Sequence, residues 1–167
     1  MIRWLIKYAV IFAVLVLIQV LILNQVQFSG FINPYIYILF VMLLPLSTPR
    51  YGILFSGFLI GIVIDIFSNS LGLHTAATVF VAYLRPFVLR GISGREDELN
   101  NYPGLKQNTF SWFLYYTVIM VFCHHFVLFF LEVYTFSNFP GTLYRIVLSS
   151  LFSIFIIVLS QFLMFRE

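Results

Sequence analysis

The chain contains the stretch Gly57-Phe-Leu-Ile-Gly61-Ile-Val-Ile-Asp65, followed by Leu71-Gly-Leu-His74 and then by Ala82-Tyr-Leu-Arg85-Pro86. These segments place a carboxylate, an imidazole and a guanidinium among residues that otherwise belong in lipid. An ionisable side chain near the centre of a bilayer costs about 3 kcal/mol on insertion scales. We therefore expect Asp65, His74 and Arg85 to have compensating interactions inside a membrane protein.

The composition of the whole chain indicates an integral membrane protein. Hydrophobic residues make up 62% of the 167 residues and charged residues only 9%, whereas soluble domains are about 25% charged. Such a chain has too little polar surface to stay dispersed in water. Cys123 is the one cysteine, so neither an internal disulfide nor a cysteine metal cluster is expected.

The lengths of the apolar runs predict a single domain, residues 1–167, with six transmembrane helices. A helix that crosses a bilayer core of about 30 Å needs about 20 residues. The predicted spans are about Trp4–Leu23, Ile32–Leu46, Tyr51–Phe67, Leu71–Leu89, Phe110–Val133 and Leu143–Phe165. The second span is short, and Pro45 interrupts its last turn.

The basic residues predict which side of the membrane each loop occupies. Most of them fall at the two termini, in the 2–3 loop or in the 4–5 loop, namely Arg3, Lys7, Arg50, Arg90, Arg95, Lys106 and Arg166. Because cationic loops stay in the cytoplasm, both termini are expected inside the cell. The 4–5 loop, about residues 90–109, is the largest cytoplasmic loop expected, and it is either a solvated linker or a docking surface.

The third predicted span carries Gly57, Gly61 and Asp65 on one face, because these residues recur at four-residue intervals. Small residues at this spacing allow a second helix backbone to approach closely. His74 begins the next helix after a turn that contains Gly72. We expect Asp65 to accept a hydrogen bond or ion pair from His74, or to cap this turn. A proton or ligand role for Asp65 is the alternative.

The remaining polar residues of the spans are predicted to have structural roles. Pro86 is expected to interrupt the fourth helix, and Arg85 just before it can extend its charged head to the cytoplasmic headgroups. His124 and His125 are adjacent, so they face about 100° apart on a helix and do not favour one shared metal. A packing or interfacial role is expected for this pair. The sequence has no phosphate-binding loop, zinc-protease motif or nucleophile elbow, so no enzyme activity, cofactor, metal or nucleic-acid partner is predicted.

The order of these elements resembles the rod-shape-determining membrane protein MreD family. The resemblance covers about residues 45–90 and rests on the proline-bounded second span, Gly57-x-x-x-Gly61-x-x-x-Asp65, Leu71-Gly-Leu-His74 and Ala82-Tyr-Leu-Arg85-Pro86. It implies a multi-pass protein of the bacterial inner membrane with the fold of the substrate-binding subunits of energy-coupling-factor transporters.

The resemblance also implies a function and a set of partners. The protein would be a non-enzymatic scaffold subunit of the cell-elongation complex, which makes lateral peptidoglycan. Its partners would be membrane lipid, an MreC-like periplasmic scaffold and, indirectly, an MreB-like filament and a RodA–transpeptidase synthase. No small-molecule substrate is expected on this hypothesis.

Two other functions compete with the scaffold. One is a substrate-binding subunit of an energy-coupling-factor vitamin transporter, since Ala9-x-x-x-Ala13 resembles the small-residue face that such subunits use to meet their transmembrane coupling partner. A vitamin binder also needs a polar pocket reached from outside, and the short 1–2 connection offers few polar side chains for one. The other is an intramembrane enzyme, which is disfavoured because the sequence offers no catalytic dyad.

Overall fold

The computed structural model of the chain describes residues 2–25, 32–92, 102–133 and 139–164. This part of the chain is all-α. The helices are α1 (Ile2–Leu21), α2 (Leu39–Met42), α3 (Arg50–Ser68), α4 (Leu73–Ile92), α5 (Phe110–Val133) and α6 (Phe139–Met164), and a 3-10 turn, Leu23–Gln25, follows α1.

Five of the helices, α1 and α3 to α6, are long and apolar enough to cross a membrane. They correspond to the first, third, fourth, fifth and sixth predicted spans. The prediction that Pro86 interrupts the fourth helix is wrong, because α4 continues through this residue to Ile92. Proline removes one helical hydrogen bond, and the packing of α4 against both α3 and α5 is enough to keep the helix continuous.

The helix predicted over Ile32–Leu46 is absent. In its place, residues 33–49 form a mostly irregular segment, here called the central segment, whose only α-helix is the four-residue α2. Pro34 and Pro45 bound a stretch far shorter than the roughly 20 residues that a spanning helix needs. Each also pushes the residue before it toward an extended conformation. The apolar run therefore gave a wrong prediction of secondary structure.

The central segment lies inside the helical bundle. Helix α1 packs on α3, α3 on α4, α4 on α5 and α5 on α6, and the segment makes hydrogen bonds to α1, α4, α5 and α6. Several of its side chains have no exposed surface, among them Tyr37, Ile38, Val41 and Met42. The segment runs antiparallel to α1, because Gln19 bonds to Pro34 and Tyr8 bonds to Leu43.

The bundle has two chemically different ends. The end called the basic end carries Lys7, Arg50, Arg90 and Lys106, at the starts of α1 and α3, the end of α4 and the segment before α5. The opposite end, called the turn end, carries the α3–α4 turn, and a 3.1 Å hydrogen bond from Asn24 to Ser68 places the end of α1 beside it.

Helices α3 and α4 are in direct backbone contact at the two glycines of α3. A Cβ atom on Gly61 would lie 2.5 Å from the Cα of Thr75, and one on Gly57 would lie 2.9 Å from the Cβ of Ala82. Real Cβ atoms do not approach other atoms this closely, so any side chain at either position would force the helices apart. The structure thus gives both glycines a packing role between α3 and α4.

We predict that Gly61→Ala lowers the melting temperature of the purified protein, because even a methyl group would overlap the backbone of α4. Overpacking of this kind costs about 1–3 kcal/mol. Gly91→Ala is the matched control, since a Cβ there would meet no atom within 4 Å. Thermal unfolding in detergent measures both variants. Equal melting temperatures for Gly61→Ala and the wild type would contradict the close contact.

Candidate functional site

Asp65 caps the first turn of α4 from its position near the end of α3. One carboxylate oxygen accepts hydrogen bonds from the Ser70 hydroxyl at 2.6 Å and from the His74 amide at 3.0 Å. The other accepts from the Thr75 amide at 2.8 Å and from the Thr75 hydroxyl. The first amides of a helix have no partner within it, and negative charge at this end is favourable. The carboxylate therefore ties α3 to α4.

The turn between α3 and α4 gives Asp65 this geometry. Asn69 ends α3 in the left-handed conformation, with a φ of 52°, and its amide bonds to the Asp65 carbonyl. Gly72 has a φ of 84°, and its carbonyl accepts from the amide of Ala76 at 2.9 Å to begin α4. Glycine adopts this conformation without steric cost, so Gly72 acts through its backbone.

His74 reaches Asp65 through its backbone amide, and its imidazole points into the bundle. The imidazole Nδ1 lies 2.9 Å from the hydroxyl oxygen of Tyr37. The same hydroxyl lies 2.7 Å from Nε2 of His124. A hydroxyl donates one hydrogen and accepts others, so one imidazole accepts from Tyr37 and the other donates to it. These bonds connect α4, the central segment and α5.

All three histidines of the chain surround Tyr35. The centroid of its ring lies 5.1 Å from the ring of His74, 6.1 Å from that of His124 and 5.3 Å from that of His125. His125 Nδ1 donates to the Val121 carbonyl at 2.8 Å. The described residues contain no group of three or more side chains placed to hold a metal ion. Buried hydrogen bonds and ring contacts hold the cluster together.

Serine hydroxyls of α6 satisfy the backbone at the start of the central segment. The amide of Asn33 donates to Ser149 Oγ at 3.1 Å, and the amide of Tyr35 donates to Ser153 Oγ at 2.8 Å. The Ser153 hydroxyl lies 3.1 Å from Nε2 of His125, which fixes the orientation of that ring. Irregular backbone at membrane depth is tolerated where it is buried in protein or lines a water-filled cavity, and these serines supply two of the hydrogen bonds that this backbone needs.

Gln19 of α1 supports the same part of the segment from the other side. Its side-chain oxygen accepts from the Ile36 amide at 2.8 Å, and its amide nitrogen donates to the Pro34 carbonyl at 3.1 Å. The nitrogen also donates to the side chain of Asn24 at 2.9 Å. One glutamine thus satisfies two backbone groups of the segment and joins it to the end of α1.

Arg85 holds the other end of the central segment. Its guanidinium donates to the carbonyl of Leu44 and, from Nε at 3.1 Å, to the hydroxyl of Tyr116. That hydroxyl donates to the carbonyl of Met42 at 3.2 Å. The expectation that Arg85 extends to the headgroups is wrong, since the residue is 1% exposed. Carbonyls freed by the irregular backbone recruit the cation, because hydrogen bonds from a charged donor are strong.

The other predicted residues take no part in this network. Ala9 and Ala13 lie exposed on α1, where a partner could reach them, and Pro86 lies in α4 directly after Arg85. Of the 90–109 loop, predicted to be either a solvated linker or a docking surface, residues 93–101 lie outside the described part of the chain. In the described remainder, Asn108 donates to the carbonyls of Tyr102 and Gly104.

A cavity of about 600 Å³ opens at the turn end of the bundle. Tyr35 and His74 form part of its wall, so the buried network reaches it. Glu132 and Arg145 also line it, and their side chains pair at 3.1 Å. The cavity was not anticipated from the sequence, because its lining comes from the ends of α1, α3 and α5, the α3–α4 turn, the starts of α4 and α6, and the central segment.

The chain matches no protein-family model, no curated protein and no solved structure. The description of the site therefore rests on the hydrogen bonds and contacts given above. Sequence analysis singled out Asp65, His74 and Arg85 but missed Tyr37 and Gln19, together with Ser149 and Ser153. The available signal was their polarity within apolar runs, and the two serines also share the four-residue spacing of one helix face.

We predict that replacing Asp65 destabilises the protein in proportion to the hydrogen bonds lost. Asp65→Asn keeps one acceptor oxygen but turns an NH₂ group toward donors, so its melting temperature should fall between those of the wild type and Asp65→Leu. Unsatisfied buried donors cost about 1–3 kcal/mol. Ile66→Leu, at an exposed neighbouring position, is the control. Wild-type stability of Asp65→Leu in a thermal unfolding assay would rule out the capping role.

We also predict that Tyr37→Phe lowers stability more than Tyr35→Phe. Loss of the Tyr37 hydroxyl leaves two buried imidazole nitrogens without their bridge, at a cost of about 1–3 kcal/mol. Tyr35 instead bonds through its backbone amide, and its side chain lines the cavity. The folded yield and the melting temperature of each variant measure this difference in stability. If both fall equally, the bridge between the histidines contributes nothing specific.

Proposed function

We propose that this protein is a non-enzymatic scaffold subunit of the bacterial cell-elongation complex, similar to the MreD family, in the inner membrane. One observation carries the proposal. The ionisable residues behind the resemblance, Asp65, His74 and Arg85, are engaged in holding the protein's own interior together. Polar groups used in this way support a rigid body that binds other membrane proteins through its outer surface.

We further propose that the central segment is a sixth crossing of the membrane. Its antiparallel course beside α1 supports this, because its bonds to Gln19 and Tyr8 are separated by about 16 Å along that helix on the 1.5 Å rise per residue. A sixth crossing would place both termini on one side. The cations of the basic end would make that side the cytoplasm.

The outer surface of α1 is the proposed contact with a partner. Ala9 and Ala13 are exposed there, together with large apolar side chains such as Val10 and Val14. Small residues four positions apart allow close approach of another transmembrane helix. On this proposal the surface meets the membrane anchor of an MreC-like scaffold. An MreB-like filament and a RodA–transpeptidase synthase join through that assembly, and lipid covers the rest.

The cavity at the turn end favours one second candidate, the substrate-binding subunit of an energy-coupling-factor vitamin transporter. Its volume of about 600 Å³ is that of a typical small-molecule pocket, about 300–1,000 Å³. Polar side chains and the Tyr35 ring line it, as a vitamin site would require. In this candidate, Ala9 and Ala13 would meet a transmembrane coupling protein instead.

Purification of the tagged full-length protein from its native membrane distinguishes the two candidates. The scaffold proposal expects wall-elongation proteins to copurify, with Ala13→Leu reducing their recovery several-fold and Val147→Leu, at an exposed position on α6, leaving it unchanged. Both variants should be equally abundant and fold equally well. Recovery of a pair of cytoplasmic ATPases with a coupling protein would overturn the scaffold and support the transporter.

A further inference from the structure

A second cavity, of about 230 Å³, lies at the basic end of the bundle. Residues from the start of α1, the end of the central segment, the stretch before α5 and the end of α6 enclose it. Those that matter here are Lys7, Ile11, Leu43, Tyr102 and Lys106. We call it the basic cavity. It belongs neither to the hydrogen-bonded network nor to the proposed contact surface of α1.

The two lysines of the basic cavity lack a neutralising carboxylate within the described part of the chain. The Nζ atom of Lys7 lies 5.5 Å from the ring centroid of Tyr102 and 6.0 Å from that of Tyr8. In the described ranges, the only acids are Asp65 and Glu132, and both lie toward the turn end. Among the described residues, the positive charge of the cavity therefore has no carboxylate partner.

The position and size of the basic cavity indicate which kind of anion it would bind. It lies at the ends of helices long enough to cross a membrane, beside the exposed apolar side chains of Leu5 and Ile6 on α1. In a bundle that spans the membrane, this end would lie at the depth of phospholipid headgroups, where basic pockets between helices hold phosphates. A volume of about 230 Å³ is below the roughly 300–1,000 Å³ of whole-ligand sites, but it accommodates a headgroup.

We propose that the basic cavity binds the phosphate headgroup of an anionic phospholipid. The ammonium groups of Lys7 and Lys106 contact the phosphate oxygens, since charge-assisted bonds to phosphate are strong. Ile11 and Leu43 contact the apolar part of the lipid next to the headgroup. The acyl chains then extend from the cavity into the bilayer. This lipid would join α1 to the stretch before α5 and to the end of α6.

The test uses the purified full-length protein in detergent, titrated with phosphatidylglycerol, phosphatidylcholine or inorganic phosphate. Native mass spectrometry counts the bound lipids, and thermal unfolding gives the shift in melting temperature. We expect phosphatidylglycerol to bind and to raise the melting temperature more than phosphatidylcholine does. The double variant Lys7→Gln, Lys106→Gln should bind it at least about tenfold more weakly, because each basic residue near an anionic lipid contributes on the order of 1 kcal/mol.

The matched control is the double variant Arg50→Gln, Arg90→Gln, which removes the same charge from the same end but outside the basic cavity. It should bind phosphatidylglycerol like the wild type. Equal weakening in both double variants would show a diffuse charge effect and overturn the site. An equal shift with inorganic phosphate would show a soluble phosphate ligand and overturn the lipid. Unchanged binding in the lysine variant would overturn the proposal outright.

Discussion

Backbone amides and carbonyls at membrane depth find no water, so each must be bonded within the protein. This constraint governs the interior of the bundle, because the backbone hydrogen bonds inside the central segment leave other amides and carbonyls that side chains of the surrounding helices must satisfy. Helices α1 and α6 provide Gln19, Ser149 and Ser153 at one end of the segment. Helices α4 and α5 provide Arg85 and Tyr116 at the other.

The α3–α4 pair provides the fixed frame in which these bonds form. Glycines bring the two backbones into contact, and Asp65 joins the end of one helix to the start of the other. The same cap sets the first turn of α4 and with it the direction of the His74 side chain. Packing of α3 on α4 and the hydrogen bond from His74 to Tyr37 are thus parts of one arrangement.

The sequence predicted those features that depend on local pattern. Five apolar runs became long helices, as hydropathy predicts, even though one of them contains Pro86. The glycine spacing predicted a close helix contact. Hydropathy could not predict the irregular backbone of the central segment, because a run broken by Pro34 and Pro45 has the hydropathy of a span whatever its backbone conformation. Arg85 was misjudged because its partner, the Leu44 carbonyl, lies 41 residues away. Tyr37 bonds to His74, which lies 37 residues further along the chain, and to His124, which lies 87 residues further along. Helical periodicity does not reveal contacts over such separations.

The orientation of the Tyr37 hydroxyl determines which imidazole donates a hydrogen bond and which accepts one. In a neutral imidazole one ring nitrogen donates and the other accepts, so the orientation of this hydroxyl couples the tautomers of His74 and His124. Within the described residues, Nδ1 of His124 is buried without a hydrogen-bond partner. A buried N–H without a partner is rarer than an unpaired acceptor, which favours a proton on Nε2 of His124, directed at Tyr37. Tyr37 then donates to Nδ1 of His74, whose own proton resides on Nε2. The tautomer of His124, deep in α5, thereby determines which ring nitrogen of His74 carries the proton.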